Sequence, residues 1–155
     1  MSRAASTLVI GLGNELRGDD GVGRVVARRL RELELSDVEI CEASGEGTAL
    51  MEAWKDAAAV ILIDAAQSGA APGTIHRLDA SRVLFHYSTH AFSLAEAVEL
   101  ARALDQLPPR VILYGIEGRD FGAGVRLSPE VAAAGDELVS RLQRDLQVIS
   151  VGHGT

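Results

Sequence analysis

The chain alternates between short apolar runs and longer amphipathic stretches. The apolar runs are rich in Val, Ile and Leu, which is typical of strands buried on both faces of a parallel sheet. They predict five strands, over Thr7–Leu12, Val38–Cys41, Ala59–Ile63, Thr74–Leu78 and Val111–Ile116. The amphipathic stretches carry apolar residues every three or four positions, which indicates helices with one buried face. They predict four helices, over Val22–Leu33, Thr48–Ala57, Ser93–Leu104 and Ser128–Leu146.

The order of these elements predicts an α/β fold. Strands and helices alternate with spacings that suit crossover connections, so we expect a three-layer sandwich with a mostly parallel, five-stranded sheet and helices on both faces. No helix separates the third and fourth strands, which leaves a mixed sheet with an antiparallel fourth strand open. One domain is expected over residues 1–155, because neither an internal repeat nor a linker interrupts the pattern. Within it, residues 148–155 are expected to be a flexible tail.

Charge and composition narrow the classes of partner. The 155 residues include 15 Lys and Arg against 22 Asp and Glu, a net charge of −7 with His neutral. This charge disfavours nucleic acid and anionic membranes, and no run of basic residues reverses it locally. The longest apolar stretch, Ala57–Ile63, is far shorter than the roughly 20 residues of a membrane span.

Cysteine content and the N-terminal sequence predict the compartment. Cys41 is the only cysteine, which excludes an intrachain disulfide and a multi-cysteine metal cluster. The apolar stretch near the N-terminus runs directly into charged residues instead of a signal-peptide cleavage site. We therefore expect a cytoplasmic protein. The helix faces are adequately polar, which favours a monomer.

The glycine-rich loop Gly11–Gly23 joins the first predicted strand to the first predicted helix, where a dinucleotide-binding fold would hold phosphate. The loop does not match that fingerprint, because Leu16 stands where the third glycine belongs and no P-loop ending is present. Its carboxylates, Glu15, Asp19 and Asp20, would repel a phosphate. The loop is therefore predicted to face a cation.

Two further residues are predicted to reach the same edge of the sheet. Asp64 ends the apolar run of the third predicted strand, and the carboxyl ends of parallel strands line the ligand crevice of an open α/β sheet. His90 lies just before the helix that Ser93 is predicted to cap. Together with Asp20, these residues would form an oxygen–oxygen–nitrogen site with open positions for nickel, zinc, manganese or iron.

Each of these residues also has a simpler interpretation. Asp20 could be the N-cap of the first helix, and Asp64 could bond loop amides at its strand end. A single loop histidine is more often not a ligand, and His86, four residues before His90, is a second choice for this role.

The remaining candidates are expected to have no catalytic role. His76 is predicted to face solvent from its strand, and His153 lies in the predicted tail. Cys41 is expected to be a small buried side chain at the end of a strand. The sequence contains no Gly-x-Ser-x-Gly motif, so it gives little support to nucleophilic serine catalysis.

Several short motifs occur in one order between Thr7 and the terminal helix. They are Gly11-x-Gly13-Asn14-x-Leu16-x-x-Asp19-Asp20-Gly21-x-Gly23, Ile63-Asp64-Ala65, Pro72-Gly73-Thr74, Thr89-His90-x-x-x-Leu94, Tyr114-Gly115-Ile116-Glu117-Gly118 and Leu127-Ser128-Pro129-Glu130-Val131. Each motif alone is weak, but the ordered set is specific. The sequence resembles the nickel-iron hydrogenase maturation endopeptidases.

The resemblance implies a protease that removes a short C-terminal extension from the precursor of the hydrogenase large subunit, after nickel has been inserted. The family residues that contact nickel correspond by position to Asp20, Asp64 and His90. The nickel is expected to arrive in the substrate, so the free enzyme is not expected to hold a metal. Asn14, Glu15 and Asp19 are expected to shape the loop, with Gly45–Thr48 opposite as a segment that contacts the substrate.

Two other classes of function stay open on the sequence. A self-contained metallohydrolase would use the same three residues with its own bound zinc or nickel. A non-catalytic, metal-dependent chaperone of the large subunit would bind the precursor without cleaving it.

Overall fold

The computed structural model describes residues 7–44, 47–79 and 95–153. Within these ranges five strands form one sheet: β1 Thr7–Leu12, β2 Val38–Ala43, β3 Ala59–Ala66, β4 Ile75–Asp79 and β5 Arg110–Glu117. The helices of the described ranges are α1 Val22–Glu32, α2 Gly47–Ala53, α3 Ala95–Ala103 and α4 Pro129–His153. The predicted α/β sandwich is confirmed. No helix in the described ranges has the length and apolar character to cross a bilayer.

The sheet is mixed, with strand order β2-β1-β3-β5-β4. Four strands run parallel, and β4 pairs with β5 in the antiparallel direction. A short link without a helix cannot cross over to start a parallel strand, which explains the direction of β4. The antiparallel fourth strand left open by the sequence is thus confirmed.

The strand order creates a crevice at the ends of β1 and β3. After β1 the chain crosses to β2 on one side, and it then returns to place β3 on the other side of β1. In open α/β sheets, ligands bind at such a switch point, beyond the carboxyl ends of the strands. The loop that follows β1 and the end of β3 therefore meet at the position where a ligand is expected.

The two faces of the sheet bury separate cores. Leu8, Ile10 and Leu12 of β1 pack in the core that α2 and α3 cover, which includes the buried Trp54. Val9 faces the other core, which is built with residues of α1 and α4. This alternation follows from the two-residue period of a strand.

Two strands extend two or more residues beyond their predicted ends. The prediction that β3 stops at Ile63 is wrong, because pairing with β5 continues through Asp64↔Gly115 to the end of both strands. Likewise, β2 runs past Cys41, so this residue lies inside the strand. Cys41 is half-buried, and burial raises the pKa of its thiol. Ladder pairing between distant segments therefore sets the ends of these strands.

Two helices end more than one residue away from the predicted end. Helix α2 stops at Ala53, short of Ala57, and Asp56 then turns the chain with a positive φ of 71°. Helix α4 passes Leu146 and reaches His153, taking in most of the segment expected to be a tail. No glycine or proline interrupts the sequence between Leu146 and Gly152, so nothing local ends the helix earlier. Ser93, the predicted cap of α3, lies outside the described residues.

Gly23 allows α1 to pack directly on the sheet. A Cβ at this position would lie 2.6 Å from the carbonyl oxygen of Leu12 and closer still to that of Ile63. Because both obstacles are backbone atoms of central strands, they cannot move aside. We expect Gly23→Ala to lower the free energy of unfolding by about 3 kcal/mol, despite the higher helix propensity of Ala.

A matched control for this substitution is Gly135→Ala in α4. There a Cβ would lie 3.5 Å from a methyl group of Val26, an ordinary contact, so we expect a gain of up to about 1 kcal/mol. Urea unfolding of the two variants measures the difference. A loss at Gly135 equal to that at Gly23 would contradict the packing argument.

Candidate functional site

A cleft of about 580 Å³ opens at the predicted edge of the sheet. Its walls come from the loop after β1, the start of α1, the ends of β2 and β3, and the loop after β5. The lining residues are Gly13, Asn14, Glu15, Leu16, Arg17, Asp20, Arg24, Ser44, Ala65, Gln67 and Phe121. The cleft therefore coincides with the switch point between β1 and β3.

Asp20 lies on the wall of this cleft, in a 3-10 turn over Gly18–Gly21 that leads into α1. Its Oδ2 accepts the backbone N–H of Asn14 at 2.8 Å, which fixes the carboxylate against the loop. The N-cap of α1 is Gly21, and no side chain caps this helix. The interpretation of Asp20 as the N-cap is therefore wrong, and the residue instead contributes to the cleft wall.

Asp64 lies in β3 and is only 1% exposed. Leu62 and Ala66, two positions away on either side, belong to the core under α2 and α3, so Asp64 lies on that face of the sheet. Its Oδ1 accepts the N–H of Ala65 at 2.8 Å, and Gly115 beside it on β5 contributes no side chain. Burying a carboxylate this deeply costs free energy unless neighbouring groups compensate its charge. Buried carboxylates of this kind are common at functional sites.

His90, the third predicted residue, lies outside the described residues, as does His86. Both precede α3, which covers the face of the sheet on which Asp64 lies. The part of the chain that the structure describes holds no group of three His, Cys, Asp or Glu side chains able to bind a metal ion. The structure thus locates Asp20 and Asp64 at one end of the sheet, and His90 stays a prediction.

Asp19 has a structural role that the sequence did not reveal. It is fully buried and accepts four hydrogen bonds from residues about a hundred positions away. Its Oδ2 accepts the N–H groups of Arg119 and Asp120 at 2.8 and 2.9 Å and the hydroxyl of Ser128 at 2.8 Å. Its Oδ1 accepts the N–H of Ser128 at 2.7 Å. Asp19 thus ties the loop after β1 to the loop after β5.

The pKa of Asp19 reflects these bonds. Burial by itself raises the pKa of the carboxyl, but the hydrogen bonds from Asp120, Ser128 and Arg119 outweigh it and hold the pKa below its ordinary value. Because its acceptor positions are filled by protein donors, Asp19 is not available to a cation. The expectation that it shapes the loop agrees with the structure, whereas its inclusion among the cation-facing carboxylates is wrong.

Backbone hydrogen bonds join the same two loops. The N–H of Gly18 donates to the carbonyl of Gly124 at 2.8 Å, and the N–H of Gly124 donates to the carbonyl of Leu16 at 2.9 Å. Phe121 of the second loop lines the cleft directly. The two loops therefore form one wall of the cleft. The hydrogen bonds between them hold the segment that carries Asp20 in place.

A third buried carboxylate, Glu117, holds the turn after β3. Ser68 donates to it through its hydroxyl at 2.5 Å and its N–H at 2.8 Å, and His76 Nε2 lies 3.1 Å away. Burial raises the pKa of Glu117, but the bonds from Ser68 and His76 outweigh this and lower it. His76 is thus half-buried and paired, and the prediction that it faces solvent is wrong. Glu117 ends the apolar run of β5, just as Asp64 was predicted to end the run of β3. The same sequence pattern could therefore have identified Glu117 as a candidate residue.

Comparisons with known proteins identify the family to which the chain belongs. Residues 24–145 match the profile of the hydrogenase maturation protease family, HycI. MJ0253 of Methanocaldococcus jannaschii, whose name places it among hydrogenase maturation proteases, is 33% identical over 141 residues, covering 85% of this chain and 90% of that protein. The hydrogenase expression/formation protein HupD of Rhodobacter capsulatus is 27% identical over 150 residues, covering 90% of this chain and 70% of HupD.

Solved structures share the fold. The [NiFe] hydrogenase maturation protease HycI of Thermococcus kodakarensis superposes with a TM-score of 0.73 at 25% identity, covering 92% of this chain and 93% of that one. The hydrogenase maturating endopeptidase HybD of Escherichia coli has a TM-score of 0.74 over 91% of both chains; at 24% identity it supports the fold alone. The family profile, the sequence relatives and the fold agree, and the chain belongs to the hydrogenase maturation protease family.

Proposed function

We propose that this protein is the endopeptidase that removes a short C-terminal extension from the nickel-loaded precursor of a nickel-iron hydrogenase large subunit. The nickel in the substrate is the feature that the enzyme recognises. The observation that carries the proposal is the cleft at the β1/β3 switch point, with Asp20 on its wall and Asp64 buried at the same end of the sheet.

The proposal gives Asp20, Asp64 and His90 the task of completing the coordination of substrate nickel. Two carboxylates and an imidazole are suitable donors for nickel and leave other positions for the ligands that the substrate supplies. Among the described residues, only Asn14 donates to the Asp20 carboxylate, through one oxygen. The second oxygen is thus available for a ligand from the cleft.

The reaction in this proposal is hydrolysis of one peptide bond beside the nickel. Water adds its hydroxyl to the scissile carbonyl carbon, and the leaving amine nitrogen takes the proton. The attacking water is polarised by the metal or deprotonated by a carboxylate of the site. The fixed cleft wall, joined through Asp19, holds Asp20 in place while the precursor binds.

The test of this proposal combines two measurements on the purified protein. Intact-mass spectrometry of a nickel-loaded precursor is expected to show the loss of the extension with the wild type and no loss with His90→Ala. Metal analysis of unsupplemented enzyme is expected to find well below one metal per chain. Stoichiometric zinc or nickel would favour a self-contained metallohydrolase, and an unchanged precursor mass with the wild type would favour a chaperone.

A further inference from the structure

We propose that Arg28 holds the second carboxylate of the cleft, Glu15, away from the cation position, so that the free enzyme binds loose divalent cations only weakly. This inference rests on the proposed function, because it concerns the same cleft. It assigns Arg28 a part in selecting substrate-borne metal over free metal.

Glu15 and Asp20 line the same cleft. Their loop is tightly folded here, since a Cβ at Gly21 would lie 2.8 Å from the Cα of Glu15. The Glu15 side chain is 46% exposed, so it has room to turn. In the structure, however, its Oε2 is 2.8 Å from Nη1 of Arg28. The hydrogen bond and the charge of Arg28 lower the pKa of Glu15.

Arg28 is held by a second carboxylate, which fixes its position. Its Nη2 lies 2.8 Å from Oε1 of Glu42, and its Nε donates to both Glu42 oxygens at 3.1 Å. Glu42 extends from β2 and its side chain is only 16% exposed; Arg24 and Arg31 contact it as well, at 3.4 and 3.5 Å. Isolated surface ion pairs contribute little, but a network with a partly buried centre and a planar guanidinium has a defined geometry.

The charges on the cleft wall show how this network affects the affinity of the cleft for a divalent cation. Arg17 and Arg24 face the same cleft as Glu15 and Asp20, so these four formal charges cancel. With Glu15 paired to Arg28, one available carboxylate is left on this loop, since Asp19 is saturated by backbone and hydroxyl donors. A freed Glu15 would add a second oxygen ligand and a negative charge, both of which increase affinity for a divalent cation.

Isothermal titration calorimetry with nickel chloride alone tests the inference, using the full chain. We expect Arg28→Gln to bind Ni²⁺ about tenfold more tightly than the wild type. The double variant Arg28→Gln with Glu15→Gln should return to wild-type affinity, because the gain depends on the freed carboxylate. Arg28→Lys, which keeps the positive charge, should stay within about twofold of the wild type. The matched control Arg29→Gln removes a neighbouring arginine that pairs with Asp136 and should have no effect.

Two results would overturn the inference: equal affinities for Arg28→Gln and the wild type, or a double variant that binds as tightly as Arg28→Gln. Circular dichroism checks that each variant is folded. Adding Asp20→Asn to Arg28→Gln is expected to abolish the gain, which locates the bound metal in the cleft. The titrations do not depend on cleavage. Failure of the precursor to lose mass would therefore reject the proposed function alone, whereas an unchanged affinity series with normal cleavage would reject the inference alone.

Discussion

Replacing Asp64 by Asn is expected to reduce the rate of precursor cleavage by about 100-fold or more, which is the usual contribution of a catalytic acid–base or ligand group. Asn has nearly the same shape as Asp, so the buried position between its strand neighbours should accept it. It loses the negative charge to which the proposed function assigns cation binding, and it loses the ability to take up a proton. Single-turnover cleavage of a nickel-loaded precursor, followed by mass spectrometry, measures the effect.

The matched control for this variant is Asp120→Asn, in the loop that forms the cleft wall. The Asp120 carboxylate is exposed and accepts only the N–H of Gly122 among the described residues, so we expect cleavage within about twofold of the wild type. Asp20→Asn and His90→Ala should each resemble Asp64→Asn. Combining these substitutions should reduce the rate of precursor cleavage little more than one of them does, because the effects of residues that act as a unit are not additive. Cleavage by Asp64→Asn at the rate of the control would contradict the assignment of Asp64 to the site.

Replacing Asp19 by Ala is expected to lower the free energy of unfolding by about 4 kcal/mol at pH 7. The substitution leaves partly buried N–H groups of Arg119, Asp120 and Ser128 without their acceptor, and each hydrogen bond to a charged group contributes about 1.5–3 kcal/mol. Asp19→Asn keeps one acceptor oxygen and should lose less. Urea unfolding of the two variants measures both values, and Asp120→Ala is the control, expected within about 0.5 kcal/mol of the wild type.

The effect of Asp19 should depend on pH in one direction. Because its pKa in the folded protein lies below the ordinary value of 3.8, its contribution is fully present above that pH. The contribution is lost as the pH falls through the folded pKa, since the unfolded chain then binds the proton more readily. The difference in stability between wild type and Asp19→Ala should therefore shrink on acidification below pH 3.8. A difference that is constant or grows as the pH falls would contradict the role assigned to the carboxylate.

The fold was predictable because local patterns determine most of it. The apolar run of β1 and the amphipathic stripe of α1 define those elements within one residue of their ends. The ends of β3 and β2 were not predictable in this way, because ladder pairing with β5 and β1 extends them. Helix α2 ended early at a turn with a left-handed residue, which its apolar pattern does not encode.

The location of a candidate site residue was predictable where the fold alone places that residue at the end of the sheet. Asp20 and Asp64 follow from the rule that ligands bind at the carboxyl ends of strands, and both lie at that end of the sheet. The role of Asp19 was not predictable, because its partners, Arg119 to Ser128, lie about a hundred residues away along the chain. The burial of His76 against Glu117 is likewise a tertiary contact. His90 stays a prediction based on sequence.

In the proposed function, nickel in the substrate completes a site that the enzyme leaves incomplete. The most direct test is to mix metal-free enzyme with two preparations of the same precursor, one nickel-loaded and one nickel-free, and to follow the mass of each. We expect that only the nickel-loaded precursor loses its C-terminal extension, and that the enzyme itself carries no stoichiometric metal afterwards. Equal cleavage of the nickel-free precursor would contradict it.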